Sequence, residues 1–472
     1  MQQHVKLNDL LELDIKRMGI NGEGIGYYER LAIFVDHALP GEKVLVRIKE
    51  VYPNRAVAEL IKVINESKDR IDPFCPVYDV CGGCQTQHFN YEAMLEQKKD
   101  ILMKSLDRYL GNYSKSIIRD TIGMDFPMHY RNKASLPFKK IDGKNHFGMY
   151  ERGSNYFVPI EDCGIQHPTI NEIFKTLTYL MDKYHIDSYD FYTQMGYLTH
   201  GVVRISENLE EVQVSLITVK ELPSMDNFIQ ELIEYHPMVK SVYEVVQPDI
   251  KRQTFLNENS NLLYGKESIN ENLGGYEFTL KPEAFFQLNT YQAHHFYEAM
   301  KTLAKLSKND VVIDAYAGIA PISHYIHSYC KKVYAIEINE ESALAAKASL
   351  IKNNIHNVEV IEGDFKDVLK ERFLNKHIDV ILFDPPRIGL GKETIDVIKL
   401  KKPSRIVYGS CNPSTLAKDL NELIDIYEIK EIIPFDMFPY TSLVESVTLL
   451  ELKKTNWTKK KACSLWLIIK WK

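Results

Sequence analysis

Several things are missing from this sequence of 472 residues, and each absence narrows what the chain can be. No apolar run approaches the ~20 residues that a membrane-spanning helix requires. The start, Met1-Gln-Gln-His-Val-Lys6, lacks the basic and then apolar pattern of a secretion signal, so a cytoplasmic protein is expected. Strong charge bias is absent too: the formal net charge is -6, so contact with a nucleic acid would need a local basic surface rather than a global one. Cysteines are few and odd in number, at 75, 81, 84, 163, 330, 411 and 463. In a reducing compartment that count speaks against a disulfide framework and for metal binding or catalysis. No internal repeat is visible.

What is present divides into three. The length is too great for one ordinary core, and two or three domains are expected. Apolar residues alternate at Leu11, Leu13 and Ile15, at Ile33 and Val35, and at Val44, Val46 and Ile48, with Gly19, Gly22, Gly24, Gly26 and Pro40-Gly41 between the runs. Period two broken by turn residues predicts a small β-barrel over residues 1–62. A cysteine-rich loop at 73–88 leads to a helix from about Tyr91, with Leu95, Lys98, Leu102 and Leu106 at helical spacing. Strand-like runs such as Gly201-Val-Val-Arg-Ile205 and Glu211-Val-Gln-Val-Ser-Leu-Ile217 make 63–275 an α+β region.

From 276 to 472 the pattern changes to strict alternation of strands and helices. The strands are Val311-Val-Ile-Asp314, Lys332-Val-Tyr-Ala-Ile-Glu337, Val358-Glu-Val-Ile361, Ile378-Asp-Val-Ile-Leu-Phe-Asp384 and Arg405-Ile-Val-Tyr408. This α/β alternation predicts a doubly wound, Rossmann-like parallel sheet with ligands at the carboxyl ends of its strands. The last twenty residues carry seven lysines, Trp457, Trp466 and Trp471, and no acid. They read either as an RNA contact or as a solvated tail.

The candidate site residues cluster at those strand ends. The first strand ends in Asp314-Ala-Tyr-Ala-Gly318, and the second ends in Glu337, 23 residues after Asp314. An acid there is placed to accept hydrogen bonds from ribose hydroxyls. The turn Gly318-Ile-Ala-Pro321 holds one glycine where a dinucleotide fingerprint wants three, which favours S-adenosylmethionine, a ligand without a pyrophosphate, over NAD. Asp384 stands at the rim of the fourth strand, followed by two prolines that stop the strand and stiffen the loop. Cys411, in Ser410-Cys-Asn-Pro413, sits where a strand ends and a helix begins, a position that favours the nucleophilic thiolate. Glu445 interrupts an apolar strand, either as a base or as a surface acid on an edge. Cys75, Cys81 and Cys84, with five and two residues between them, and Cys163 in Asp162-Cys-Gly164 offer four thiolates. Four thiolates can take zinc or an iron-sulfur cluster, and spacing alone does not separate the two.

Taken together, Phe285-Phe-Gln287-Leu-Asn289, Asp314-Ala-Tyr316-Ala-Gly318, Asp384-Pro-Pro-Arg387, Ser410-Cys411-Asn-Pro413 and Val444-Glu445-Ser446 resemble the RNA (uracil-C5)-methyltransferase family, in particular its iron-sulfur branch acting on 23S rRNA. The resemblance covers nearly the whole chain. It implies a C-terminal class I methyltransferase domain, and it makes the first domain similar to the TRAM module, an OB-like RNA-binding barrel. It implies Cys411 as nucleophile and Glu445 as base, with Gln287, Tyr316, Glu337, Asp364 and Asp384 around the cofactor and the target base. It further implies a [4Fe-4S] cluster on Cys75, Cys81, Cys84 and Cys163, and an RNA-facing Tyr130-Arg-Asn-Lys133.

The reaction so implied makes 5-methyluridine. Addition of a thiolate to carbon 6 of uracil renders carbon 5 nucleophilic toward the methyl of S-adenosylmethionine, and a base then removes the carbon 5 proton. The base must be flipped out to be reached, so a loop uridine is the expected target. Ala317 and Ala320 stand where the family usually has Cys and Gly, and Leu443 where many members have His. Two other readings are a tRNA-directed member, a branch that usually lacks the barrel and the cysteines, and a non-catalytic RNA-binding or ribosome-assembly factor. A radical methylthiotransferase would need its cysteines spaced by three and two.

Overall fold

The structure, a computed structural model, describes residues 5–206, 210–249, 256 and 260–454. Apart from Lys453 and Lys454, the lysine- and tryptophan-rich tail lies outside the described residues. Among the described residues no helix is long and apolar enough to cross a membrane.

Strands β1 (Leu10–Met18), β2 (Gly24–Tyr28), β3 (Leu31–Val35), β4 (Lys43–Tyr52) and β5 (Arg55–Asn65) form a closed barrel in the order β1-β2-β3-β5-β4. Leu13, Ile15, Ile33, Val35, Val44, Val46 and Ile48, the alternating residues of the sequence, fill its interior. Closure needs a glycine at 24, because a Cβ there would lie 2.5 Å from the carbonyl oxygen of Ala38.

After the cysteine loop comes helix α1 (Tyr91–Tyr109), whose first turn is capped by the Asn90 side chain accepting from the N–H of Ala93 at 3.2 Å. Its apolar face, Met94, Ile101, Leu102 and Leu106, packs in one cluster with Leu416, Leu420 and Ile432 of the C-terminal region. The helix therefore contributes to a core that lies more than 300 residues further along the chain.

The middle region is a seven-stranded sheet in the order β12-β11-β10-β9-β6-β7-β8. In chain order it comprises β6 (Lys133–Ile141), β7 (Lys144–Tyr150), β8 (Phe157–Pro159), α2 (Pro168–Lys183), β9 (Leu198–Ser206), β10 (Glu211–Thr218), α3 (Asp226–Tyr235), β11 (Val239–Val246) and β12 (Ser260–Gly265). Phe174 and Leu177 of α2 and Phe228 and Leu232 of α3 bury against the sheet. A hairpin of β13 (Ile269–Leu273) and β14 (Tyr276–Leu280) follows.

The C-terminal region runs α4 (Thr290–Ala304), β15 (Val311–Ala315), α5 (Pro321–Ile326), β16 (Lys332–Glu337), α6 (Glu340–Lys352), β17 (Val358–Glu362), α7 (Phe365–Val368), β18 (Val380–Phe383), α8 (Gly391–Lys401), β19 (Arg405–Ser410), α9 (Pro413–Leu423), β20 (Tyr427–Phe435) and β21 (Glu445–Leu452). Its sheet order is β17-β16-β15-β18-β19-β21-β20. All five strands predicted from the sequence are present and parallel. The order reverses between β15 and β18, which opens a crevice at their carboxyl ends. One strand departs from the parallel pattern: β21 runs antiparallel between β19 and β20. That insertion carries Glu445, the first residue of β21, to the carboxyl end of β19.

Candidate active site

Three loops converge at the carboxyl edge of the C-terminal sheet. Cys411 follows β19 directly, and the next residue, Asn412, caps α9 by accepting from the N–H of Ser414 at 3.0 Å. The loop after β18, carrying Asp384 and Arg387, is stitched to it: the Asn412 Nδ2 and Thr415 Oγ1 atoms each donate to the Arg387 carbonyl at 3.2 Å. Glu445 arrives from the other side, since Ser446 pairs with Ser410 across the β19–β21 ladder. Glu445 is 6% exposed and stands in an interior strand, which excludes the surface edge acid.

These groups feel one another. Burial, and then the Asp384 charge, push the Glu445 carboxyl up to about 8, against the pull of Arg387 and Lys98. Burial pushes Asp384 up to about 6. Burial followed by the charges of Glu445 and Asp384 pushes the Cys411 thiol up to about 11, with Arg387 opposing. The expectation that a helix N-terminus lowers this thiol is thus corrected in direction: burial, Glu445 and Asp384 raise it, with Arg387 opposing.

The crevice beside this group is acidic. Asp314, at the end of β15, is fully buried; its Oδ2 accepts from the Ser323 N–H at 3.0 Å and Oγ at 2.6 Å, while Oδ1 has no partner. Burial, with Asp384 and Glu337 adding, pushes its carboxyl up to about 7 despite the Ser323 bonds. Glu337 is oriented by two backbone donors, Gly318 to Oε2 and Asn339 to Oε1, both at 2.8 Å. Each carboxylate oxygen retains acceptor capacity for a ligand. The turn between them is tight: Tyr316, Gly318 and Ala320 all have left-handed backbone, at φ 60°, 55° and 63°. The Tyr316 ring lies against Phe365 and Phe383. Asp364, after β17, caps α7 by accepting from the Lys366 N–H at 3.0 Å. Gln287 is buried, and its carbonyl accepts from Asn132 Nδ2 at 2.9 Å, which ties Arg131-Asn132-Lys133 to the rim.

A family model described as tRNA (uracil-5-)-methyltransferase matches residues 90–453. The chain belongs to the RNA uracil-5-methyltransferase family. The TRAM domain model matches residues 5–61 of this methyltransferase, the segment that forms the barrel. An RNA methyltransferase of Halalkalibacterium halodurans is 38% identical, covering 94% of this chain and 97% of its own length. One of Enterococcus faecalis is also 38% identical, covering 96% and 100%. Among solved structures, the Pyrococcus abyssi tRNA (uracil-54, C5)-methyltransferase in complex with S-adenosyl-L-homocysteine is similar, with a TM-score of 0.72 at 26% identity over 93% of this chain and 100% of that one.

Sequence reasoning about the methyltransferase passed over Tyr297. This side chain of α4 is 3% exposed, is hydrogen-bonded with Gln287, and sits within electrostatic reach of Asp384 and Glu445; burial holds its phenol well above the ordinary value. A tyrosine on the buried face of an amphipathic helix looks like core, and only the tertiary structure shows the polar company of its hydroxyl. In the sequence Asp314 opens a turn motif, and nothing there signals the orphaned oxygen.

The four cysteines of the loop and of the segment after β8 line one cavity, together with Tyr78 and Arg131. Gly82 is required there, since a Cβ would meet the Tyr150 carbonyl oxygen at 2.8 Å. Burial, and then the nearby Cys163, Cys81 and Cys75, push the Cys84 thiol up to about 12, against a hydrogen bond with Gln87. Among the described residues no three His, Cys, Asp or Glu side chains are gathered as a grip on a single metal ion.

Proposed function

We propose that the chain methylates carbon 5 of a uridine in 23S rRNA, with S-adenosylmethionine as methyl donor, Cys411 as nucleophile and Glu445 as base. The observation that carries this reading is the convergence of Cys411, Asp384 and Glu445 on one rim, where Asp384 raises the Glu445 carboxyl and both acids raise the Cys411 thiol. The Cys411 thiol gives its proton to solvent and its sulfur adds to carbon 6; carbon 5 takes the methyl group as the methyl–sulfur bond of the donor breaks, leaving S-adenosylhomocysteine; and the Glu445 carboxylate removes the carbon 5 proton. The electron pair of that C–H bond re-forms the 5,6 double bond and expels the sulfur.

The residues present fit the donor. S-adenosylmethionine, when bound, supplies an electrophilic methyl on a cationic sulfur. Asp314, Glu337 and Asp384 make the crevice a seat for a cation, and the partnerless Asp314 Oδ1 is a buried acceptor awaiting a donor. Glu337 would take the ribose hydroxyls, with Tyr316 and Asp364 beside the adenine. A cation seated there also draws the Glu445 and Cys411 protons off at lower pH.

For the cysteines the reading is a [4Fe-4S] cluster. Four thiols line one cavity, and the resemblance of the chain to the iron-sulfur branch of the family favours the cluster over zinc. The cluster's role would be to tie the loop after the barrel to the middle sheet, with no redox step in the reaction. In this reading the barrel of 1–62 holds RNA phosphates, 63–275 carries the cluster, and 276–472 performs the transfer in the cytoplasm.

The test is transfer of labelled methyl from S-adenosylmethionine to unmodified 23S rRNA and to tRNA, with nucleoside analysis and Cys411→Ala as control. 5-Methyluridine in rRNA alone, lost in the variant, supports the whole reading. Label in tRNA, the substrate of the Pyrococcus relative, overturns the rRNA assignment and keeps the chemistry.

A further inference from the structure

Helix α1 buries a lysine. Lys98 and Asp436 are both fully inaccessible, and the Lys98 ammonium donates to the Asp436 carboxylate, to the Leu443 carbonyl at 2.7 Å and to the Phe438 carbonyl at 3.2 Å. An ammonium has three donors, and all three are spent on a single segment. That segment, 436–444, joins β20 to β21 and ends at Glu445. Desolvating a charge pair is costly, and an apolar side chain would fill the same space, so stability alone is a weak reason for a lysine here.

The segment is held elsewhere as well. Gln292 Nε2 donates to the Asp436 carbonyl at 3.0 Å, Asn289 Nδ2 to the Met437 carbonyl at 2.9 Å, Tyr130 Oη to the Pro439 carbonyl at 3.0 Å, and the Gln85 N–H to the Tyr440 carbonyl at 3.0 Å. Each of these grips one point. Lys98 grips the start and the end at once, and its last acceptor, Leu443, lies two residues before Glu445.

We propose that Lys98 is a positioning residue for Glu445: it closes the 436–443 segment into one shape and sets an Asp436-paired ammonium two residues from the start of the Glu445 strand. The proposal rests on the reading of Glu445 as the base that releases the methylated uridine. Three charged groups face that carboxyl: Asp384 raises its affinity for a proton, and Arg387 and Lys98 lower it. Burial pulls the Lys98 ammonium below its ordinary value, and Asp436 first and Glu445 next oppose that pull. Removing Lys98 takes away one of two opposing charges and frees the end of the segment.

The experiment uses the full chain and unmodified RNA substrate, and reads the covalent protein–RNA band on a denaturing gel beside steady-state rates. Glu445→Gln is the reference, expected to accumulate methylated adduct. Lys98→Met is expected to accumulate adduct likewise, to lose roughly 10-fold to 100-fold in kcat with KM for RNA within about twofold, and to shift the rising limb of its pH–rate profile to higher pH. The double variant Lys98→Met/Asp436→Asn leaves no unpaired charge and carries the same expectation where the single variant does not fold. Adduct in Glu445→Gln but not in a folded Lys98 variant, wild-type turnover in the double variant, or a loss confined to KM overturns the proposal alone. Absence of adduct in Glu445→Gln overturns the base assignment, and the Lys98 role with it.

Discussion

Ser410 and Ser446 pair across the β19–β21 ladder, and this one register point sets Cys411 and Glu445 at the same end of two strands that run in opposite directions. Because β21 is antiparallel, its first residue meets the last of β19. A slip of one residue would turn Glu445 toward the other face of the sheet.

The two residues should therefore fail differently. Cys411→Ala is expected to abolish both methyl transfer and covalent RNA capture. Glu445→Gln should retain one round of methyl transfer and lose roughly 10²-fold to 10⁴-fold in turnover. Single-turnover labelling against steady-state rates separates the two outcomes, and equal loss of the first methyl transfer in both variants would contradict the assigned order of steps.

The charge state of Glu445 carries a pH signature with a definite sign. Its folded carboxyl, pushed up to about 8, binds a proton more tightly than in the unfolded chain, where the ordinary value is near 4.3. The folded state then holds more protons over this window, so Glu445 costs stability as pH rises from about 4.5 to 8. Glu445→Gln is expected to be more stable than the wild type at pH 8 by a few kcal/mol, at about 1.4 kcal/mol per unit of difference, and nearly equal to it at pH 4.5. Denaturant melts at the two pH values measure this; an equal gain at both would place its cause elsewhere.

Ala320 adopts φ 63°, a region that costs a side chain about 1 kcal/mol and costs glycine little. Ala320→Gly should raise stability by up to about 1 kcal/mol, and Gly318→Ala, at φ 55° with open space for its Cβ, should lower it by a similar amount. Thermal melts with and without S-adenosylhomocysteine would show whether the relief also tightens the crevice.

Burial raises the Cys84 thiol to about 12, and Cys75, Cys81, Cys84 and Cys163 line the same cavity. Cys84→Ser is expected to remove stoichiometric iron and sulfide and to lower the melting temperature, while S-adenosylhomocysteine binding at the crevice is retained. Anaerobic purification with iron and sulfide analysis decides it; zinc in place of iron in the parent protein would replace the cluster with a single ion.

Much of this site was legible as sequence because strand ends announce themselves. Asp314, Glu337, Asp384 and Cys411 each follow a short apolar run and precede a turn or helix signal, so local pattern alone gathers them at one edge of a parallel sheet. Glu445 was legible as an oddity, an acid in an apolar strand, but its partner strand was not: antiparallel insertion between β19 and β20 is a tertiary choice with no local mark. The upward direction of the Cys411 thiol is not legible for a related reason, since the helix N-terminus is local and the opposing acids, Asp384 and Glu445, come from two other strands. Lys98 shows the same limit. At helical spacing with Leu95, Leu102 and Leu106 it fell on the apolar face of its own helix, and nothing near it in the sequence names Asp436 as the reason.

Helix α1 makes linear order and physical boundary disagree. A fragment beginning at residue 276 would bare the wall of Leu416, Leu420 and Ile432 that α1 covers, and would leave Asp436 buried without its cation. Such a piece should precipitate alone and recover when the peptide 91–109 is added back. The catalytic unit thus borrows a part from between barrel and middle sheet, and recombination that exchanged it as one contiguous block would yield a protein that cannot close.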